Sequence, residues 1–146
     1  DYWRTTIATE NRVRTAQQIT GITPRTDQVR DPGSYATTPN TVELAWHYYL
    51  GGLDSGFLYY GVADQIKRSG VAQTNVVREI DSTVNGNLAQ DTTSPTIFLP
   101  QRPPWNPGSQ NYGVHYGYQA VTPTNTDFWI WYYAHDASGL GTVILT

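Results

Sequence analysis

The sequence predicts an all-β fold, an antiparallel β-sandwich of jelly-roll type with long Pro/Gly-rich loops. Three observations lead there. Aromatic and β-branched stretches alternate with a period of two, as at residues 41–50 and 112–121. Clusters of Gly, Pro, Asn and Asp punctuate those stretches at short intervals. Helical patterning is confined to "VADQIKRS" at 62–69, one or two turns ended by Gly70.

The elements follow in order. "TTIATENRVRT" (5–15), rich in Thr and Val, is expected to be a strand. Residues 23–40 are a connector of Pro, Gly, Asp and Thr, long enough to be functional or to wrap a neighbour. "TVELAWHYYL" (41–50), the turn "GGLDSG" (51–56) and "FLYYGVA" (57–63) read as a hairpin, with Val42, Leu44, Trp46 and Tyr48 facing the core. "NVVREIDSTV" (75–84) is a further strand, stopped by "NGN". "TIFLP" (96–100) is a short apolar strand, and the prolines of "QRPPWNPGSQ" (101–110) exclude a central strand there. "YGVHYGYQAV" (112–121), "DFWIWYYAHD" (127–136) and "TVILT" (142–146) complete about seven or eight strands, the count of a sandwich or barrel. In 127–136, Phe128, Ile130 and Tyr132 would join the core, and Trp129, Trp131, Tyr133 and His135 would form a second aromatic face.

At 146 residues the chain fits one domain, with residues 1–40 as an extended N-terminal strand and connector and 41–146 as the main sandwich. It is aromatic-rich, at 13%, which argues against disorder although only 14% of residues are charged. Nine basic against twelve acidic residues, with no basic run, argue against nucleic acid as the main partner. The absence of Cys excludes disulfides and thiolate metal sites. No apolar run reaches the length of a membrane span. A start at Asp1 without Met suggests processing of a longer precursor or trimming.

Catalytic signals are thin. Ser-hydrolase, P-loop and dinucleotide motifs are missing. Glu43 is the best-placed carboxylate, and Asp54, Asp136 or Gln119 are its candidate partners for glycoside hydrolysis. A solvated strand position is the favoured reading of Glu43, since a fold-level analogy alone does not establish a site. His47, His115 and His135 each lie close to Tyr but lack the spacing of a zinc site, so no metal and no cofactor are expected. The candidate binding residues are Trp129, Trp131, Tyr133, His135, His47 and Gln119. Such a face suits a sugar platform, a protein interface or a second buried layer.

"AWHYYLGGLDSGFLYYG", "TIFLPQRPPWNPG" and "TDFWIWYYAHD" together resemble the later part of a picorna-like virus coat protein, over about two thirds of the chain. The resemblance implies a jelly-roll subunit that packs against neighbours and brings no catalytic residues. The expected function is therefore a non-enzymatic structural subunit of a viral or extracellular assembly, located in a virion or outside the cell, with other protein subunits as partners. A secreted carbohydrate-binding module or lectin with a glycan partner is the alternative, and a small hydrolase the third reading.

Overall fold

A computed structural model describes residues 2–59, 62–98, 129–144 and 146. Its main elements are helices: α1 (Tyr2–Thr20), α2 (Thr26–Arg30), α3 (Thr41–Gly52), α4 (Gly56–Tyr59) and α5 (Ala63–Asn85). Two short strands, β1 (Thr96–Ile97) and β2 (Ala134–His135), pair in a two-stranded sheet. The expected all-β sandwich is thus overturned, and with it the jelly-roll fold that the coat-protein resemblance implied. By contacts the chain divides into one unit of Asp1–Thr96 with Ala134–Thr146, and a second of Ile97–Tyr133.

The stretch 5–15 lies within α1, not in a strand. Its threonines are compatible with helix because hydroxyls fold back on carbonyls one turn earlier: Thr6 on Tyr2 O at 3.1 Å, Thr9 on Thr5 O at 2.8 Å, Thr20 on Ala16 O at 2.8 Å. Gly21, at φ 66°, ends the helix in the left-handed conformation that favours glycine.

The expected hairpin at 41–63 is instead α3, a turn and α4. The reason lies at the start of α3. Asn40 Oδ1 accepts from Glu43 N at 2.9 Å while Glu43 Oε2 accepts from Asn40 N at 2.9 Å, a reciprocal capping box that nucleates the helix. Burial then follows helical spacing, at Val42, Ala45, Tyr49 and Gly52. Leu44, Trp46 and Tyr48, expected in the core, are only half-buried.

The short helix expected at 62–69 continues through the expected strand 75–84 as α5. Ser69, Gln73, Val76, Ile80 and Val84 are its buried stripe, three or four residues apart. The "NGN" signal marks a real end: α5 stops at Asn85, and Gly86 N donates to Ser82 O. Of the expected strand 96–100, residues 96–97 are strand and 98 is not; residues 99–128, with the expected strand 112–121, lie outside the described residues. Residues 142–144 are irregular, not the expected final strand.

The core of the first unit joins Val13 and Ala16 of α1, Val42, Ala45 and Tyr49 of α3, and Val76, Ile80 and Val84 of α5. Each Val or Ile among them contributes about 1.5–3 kcal/mol by leaving water. The other side of α1 is polar and also covered. Asn11, fully buried, donates to Ser94 O at 3.3 Å and accepts from Ala137 N at 2.7 Å. Thr15 donates to Asp91, and Gln18 bonds Gln90 O and Thr92 N at 3.2 and 3.0 Å. Positions 11, 15 and 18 share one helix face. Asn11 and Gln18 supply side-chain partners to backbone that has no ladder of its own, and Thr15 bonds the Asp91 carboxylate.

Candidate functional site

Trp129, Trp131 and Tyr133 belong to the second unit. Trp129 is 79% exposed and Trp131 40%, whereas Tyr133 is half-buried. Trp131 and Tyr133 meet edge to face at 5.5 Å and 69°, and Phe98 lies 6.4 Å from Tyr133. Phe98 N donates to Tyr133 O at 2.9 Å, which holds the backbone under the Tyr. The tilt of the rings rules out a single flat platform formed by Trp131 and Tyr133. Ile130, expected in the core, is 39% exposed, and Phe128 lies outside the described residues. The strand parity assigned to 127–136 therefore does not separate a core face from a surface face. What remains is an open indole at Trp129 beside a braced aromatic pair.

The other candidates of the binding set fall elsewhere. His47 and His135 are in the first unit, and Gln119 lies outside the described residues. His47 is on α3, with Nδ1 2.8 Å from Val29 O, a bond that ties α3 to α2. His135 sits on β2, which packs on α1. Its Nε2 is buried, and burial pushes its pKa down, with the Arg12 guanidinium acting in the same direction and Asp136 against it. Arg12 itself bonds Asp81 and Asn85. Among the described residues no three His, Cys, Asp or Glu side chains cluster as metal ligands.

Glu43 is fully buried and its carboxylate is taken. Oε1 accepts from Arg25 Nε at 2.7 Å and Arg25 N at 3.0 Å, and Oε2 from an Arg25 terminal nitrogen at 2.8 Å and Asn40 N at 2.9 Å. The Arg25 bonds outweigh burial and hold its pKa down to about 2. A carboxyl held ionised and shielded in this way cannot serve as a general acid near neutrality. Two of its candidate partners take part in local turns, and Gln119 lies outside the described residues. Asp54 accepts from Gly56 N at 2.7 Å, and Asp136 from Ser138 N at 3.0 Å.

No protein-family model matches the chain, and no solved structure matches it. Over 111 residues, 75% of its length, the chain is 37% identical to an alpha-amylase of Niallia circulans, and the match covers 8% of that protein. The chain is therefore similar to a small part of an alpha-amylase, whereas the sequence favours a non-enzymatic role and keeps a small hydrolase as its third reading.

Proposed function

We propose that this chain is a helical, glucan-contacting segment of an alpha-amylase-like enzyme. The observation that carries the reading is the 37% identity over 111 residues to the alpha-amylase. The exposed Trp129 and the braced Trp131–Tyr133 pair support it, because aromatic faces stack on the C–H faces of sugars. The commitment of Glu43 to Arg25 favours contact over bond cleavage as the role of these residues.

Affinity electrophoresis through a gel containing soluble starch tests the reading. Retardation is expected for the wild-type chain and its loss for the double variant Trp129→Ala/Trp131→Ala. Migration that starch does not alter, with assembly into a large discrete particle on a sizing column, would overturn it in favour of a structural subunit.

A further inference from the structure

A second feature faces solvent in the first unit: a cleft of about 350 Å³ where the end of α1 meets α3. Trp46 forms one wall. Gln17 lies beside it on α1, and Gln18, Gly21, Ile22 and Thr23 also line the cleft. The indole is held from two directions. Its Nε1 donates to Gln17 Oε1 at 2.9 Å, and its ring meets Tyr49 edge to face at 5.8 Å and 77°. An aromatic wall fixed in this way loses little freedom when a ligand stacks on it, which is the advantage of preorganisation. With Oε1 engaged, Gln17 has its amide nitrogen to offer as a donor.

Charge defines the ligand class. Arg14 lines the cleft, but its guanidinium is bonded to Glu10 through Nε at 2.9 Å and a terminal nitrogen at 2.7 Å. Glu10 in turn accepts from Tyr49 OH at 3.0 Å. The positive charge is thus matched, and the cleft offers donors without a net field to attract an anion. A fixed indole, an amide donor and a neutralised guanidinium suit a neutral polyol with one apolar face. The volume sits at the low end for small-molecule sites, enough for about one or two hexose rings.

We infer that the Trp46 cleft is a subsite for a short α-linked glucan. The choice of α-linked glucose rests on the proposed function; the neutral-saccharide character rests on the cleft.

The test is an NMR titration of the full chain with maltotriose, with cellobiose and glucuronate as comparison ligands. The Trp46 indole N–H and the Gln17 side-chain amide resonances are expected to shift with maltotriose. Gln17→Ala should raise the Kd at this site at least tenfold, and Trp46→Phe, which keeps an aromatic ring in the core-side packing, should raise it by a smaller factor. Far-UV circular dichroism of each variant checks that the helices persist. If maltotriose shifts only the indoles of Trp129 and Trp131, the cleft inference fails and the proposed function stands. If cellobiose shifts Trp46 and Gln17 as strongly as maltotriose, the cleft is a saccharide site but the α-glucan assignment fails. Glucuronate binding more tightly than either would overturn the neutral-ligand argument. Silence of all resonances, together with unretarded migration in starch, would remove both.

Discussion

Glu43, Asn11 and His135 are three polar side chains whose partners, more than their own chemistry, decide what they do. Glu43 closes the capping box and holds Arg25, so its loss leaves backbone donors of Asn40 and Arg25 unpaired. Glu43→Ala should cost about 1–3 kcal/mol, read as a lower urea midpoint at unchanged slope. Because its folded pKa is depressed from 4.5 to about 2, its stabilisation is present above pH 4.5 and is lost as pH falls toward 2. His135 acts at a higher pH. Its folded pKa lies below 6.5, so the unfolded chain takes the proton first and stability declines as pH drops below 6.5. His135→Asn should flatten the stability curve between about pH 7 and pH 5 while Glu43→Gln leaves that span unchanged; denaturant melts at a series of pH values check both. Asn11→Ala should expose the amide of Ala137 to fast hydrogen exchange, since that N–H loses its acceptor.

At the scale of elements, α3 ends in close contact with α5. Gly52 O accepts from Ser69 Oγ at 2.7 Å and from Tyr2 OH at 3.1 Å, joining α1, α3 and α5 at one carbonyl. A Cβ at Gly52 would stand 3.0 Å from the Gln73 amide nitrogen and 3.2 Å from Ala72 Cβ. Gly52→Ala should therefore overpack this end and cost about 1–3 kcal/mol. Ile80→Ala opens a cavity in the core and should cost about 2–5 kcal/mol; thermal melts followed at 222 nm measure both. These elements were only partly legible in the sequence. Gly86 and the Asp54–Gly56 turn punctuate the chain where the sequence places breaks, because turn chemistry is local, whereas Gly70 is carried inside α5. Period was the failure. In "TVELAWHYYL" the apolar residues are so dense that spacings of two and of three or four are both satisfied, and aromatic bulk favoured strand. The deciding signal, Asn40 and Glu43 three apart before an apolar run, was present in the sequence. On α1 the polar stripe of Asn11, Thr15 and Gln18 reads as solvent-facing, and its covering segments come from about 70 to 130 residues away. Of the candidate site, aromatic density singles out Trp129 but leaves open whether its indole is exposed or covered, whereas the Trp46 cleft depends on Gln17, 29 residues earlier, and on a helix where the sequence predicts a strand.

For the whole molecule, binding and folding are linked. A ligand that occupies the native Trp46 cleft and not the unfolded chain stabilises the first unit, whose core includes Tyr49, the ring that braces Trp46. At a ligand concentration one hundred times Kd the gain is about 2.7 kcal/mol, which for a chain of this size raises Tm by roughly 5–11 °C. Maltotriose is expected to give that shift in wild type and in Trp129→Ala, and little of it in Gln17→Ala at the same concentration. The contrast is informative because Gln17→Ala and Trp129→Ala each alter one exposed or half-buried side chain and leave the Val13–Ile80 core untouched. Differential scanning calorimetry reads the shift directly. It also shows whether one transition or two carries it, since the chain comprises two units and only the unit holding the cleft should respond. A Tm that rises equally in wild type and in Gln17→Ala would place the stabilising site outside the cleft.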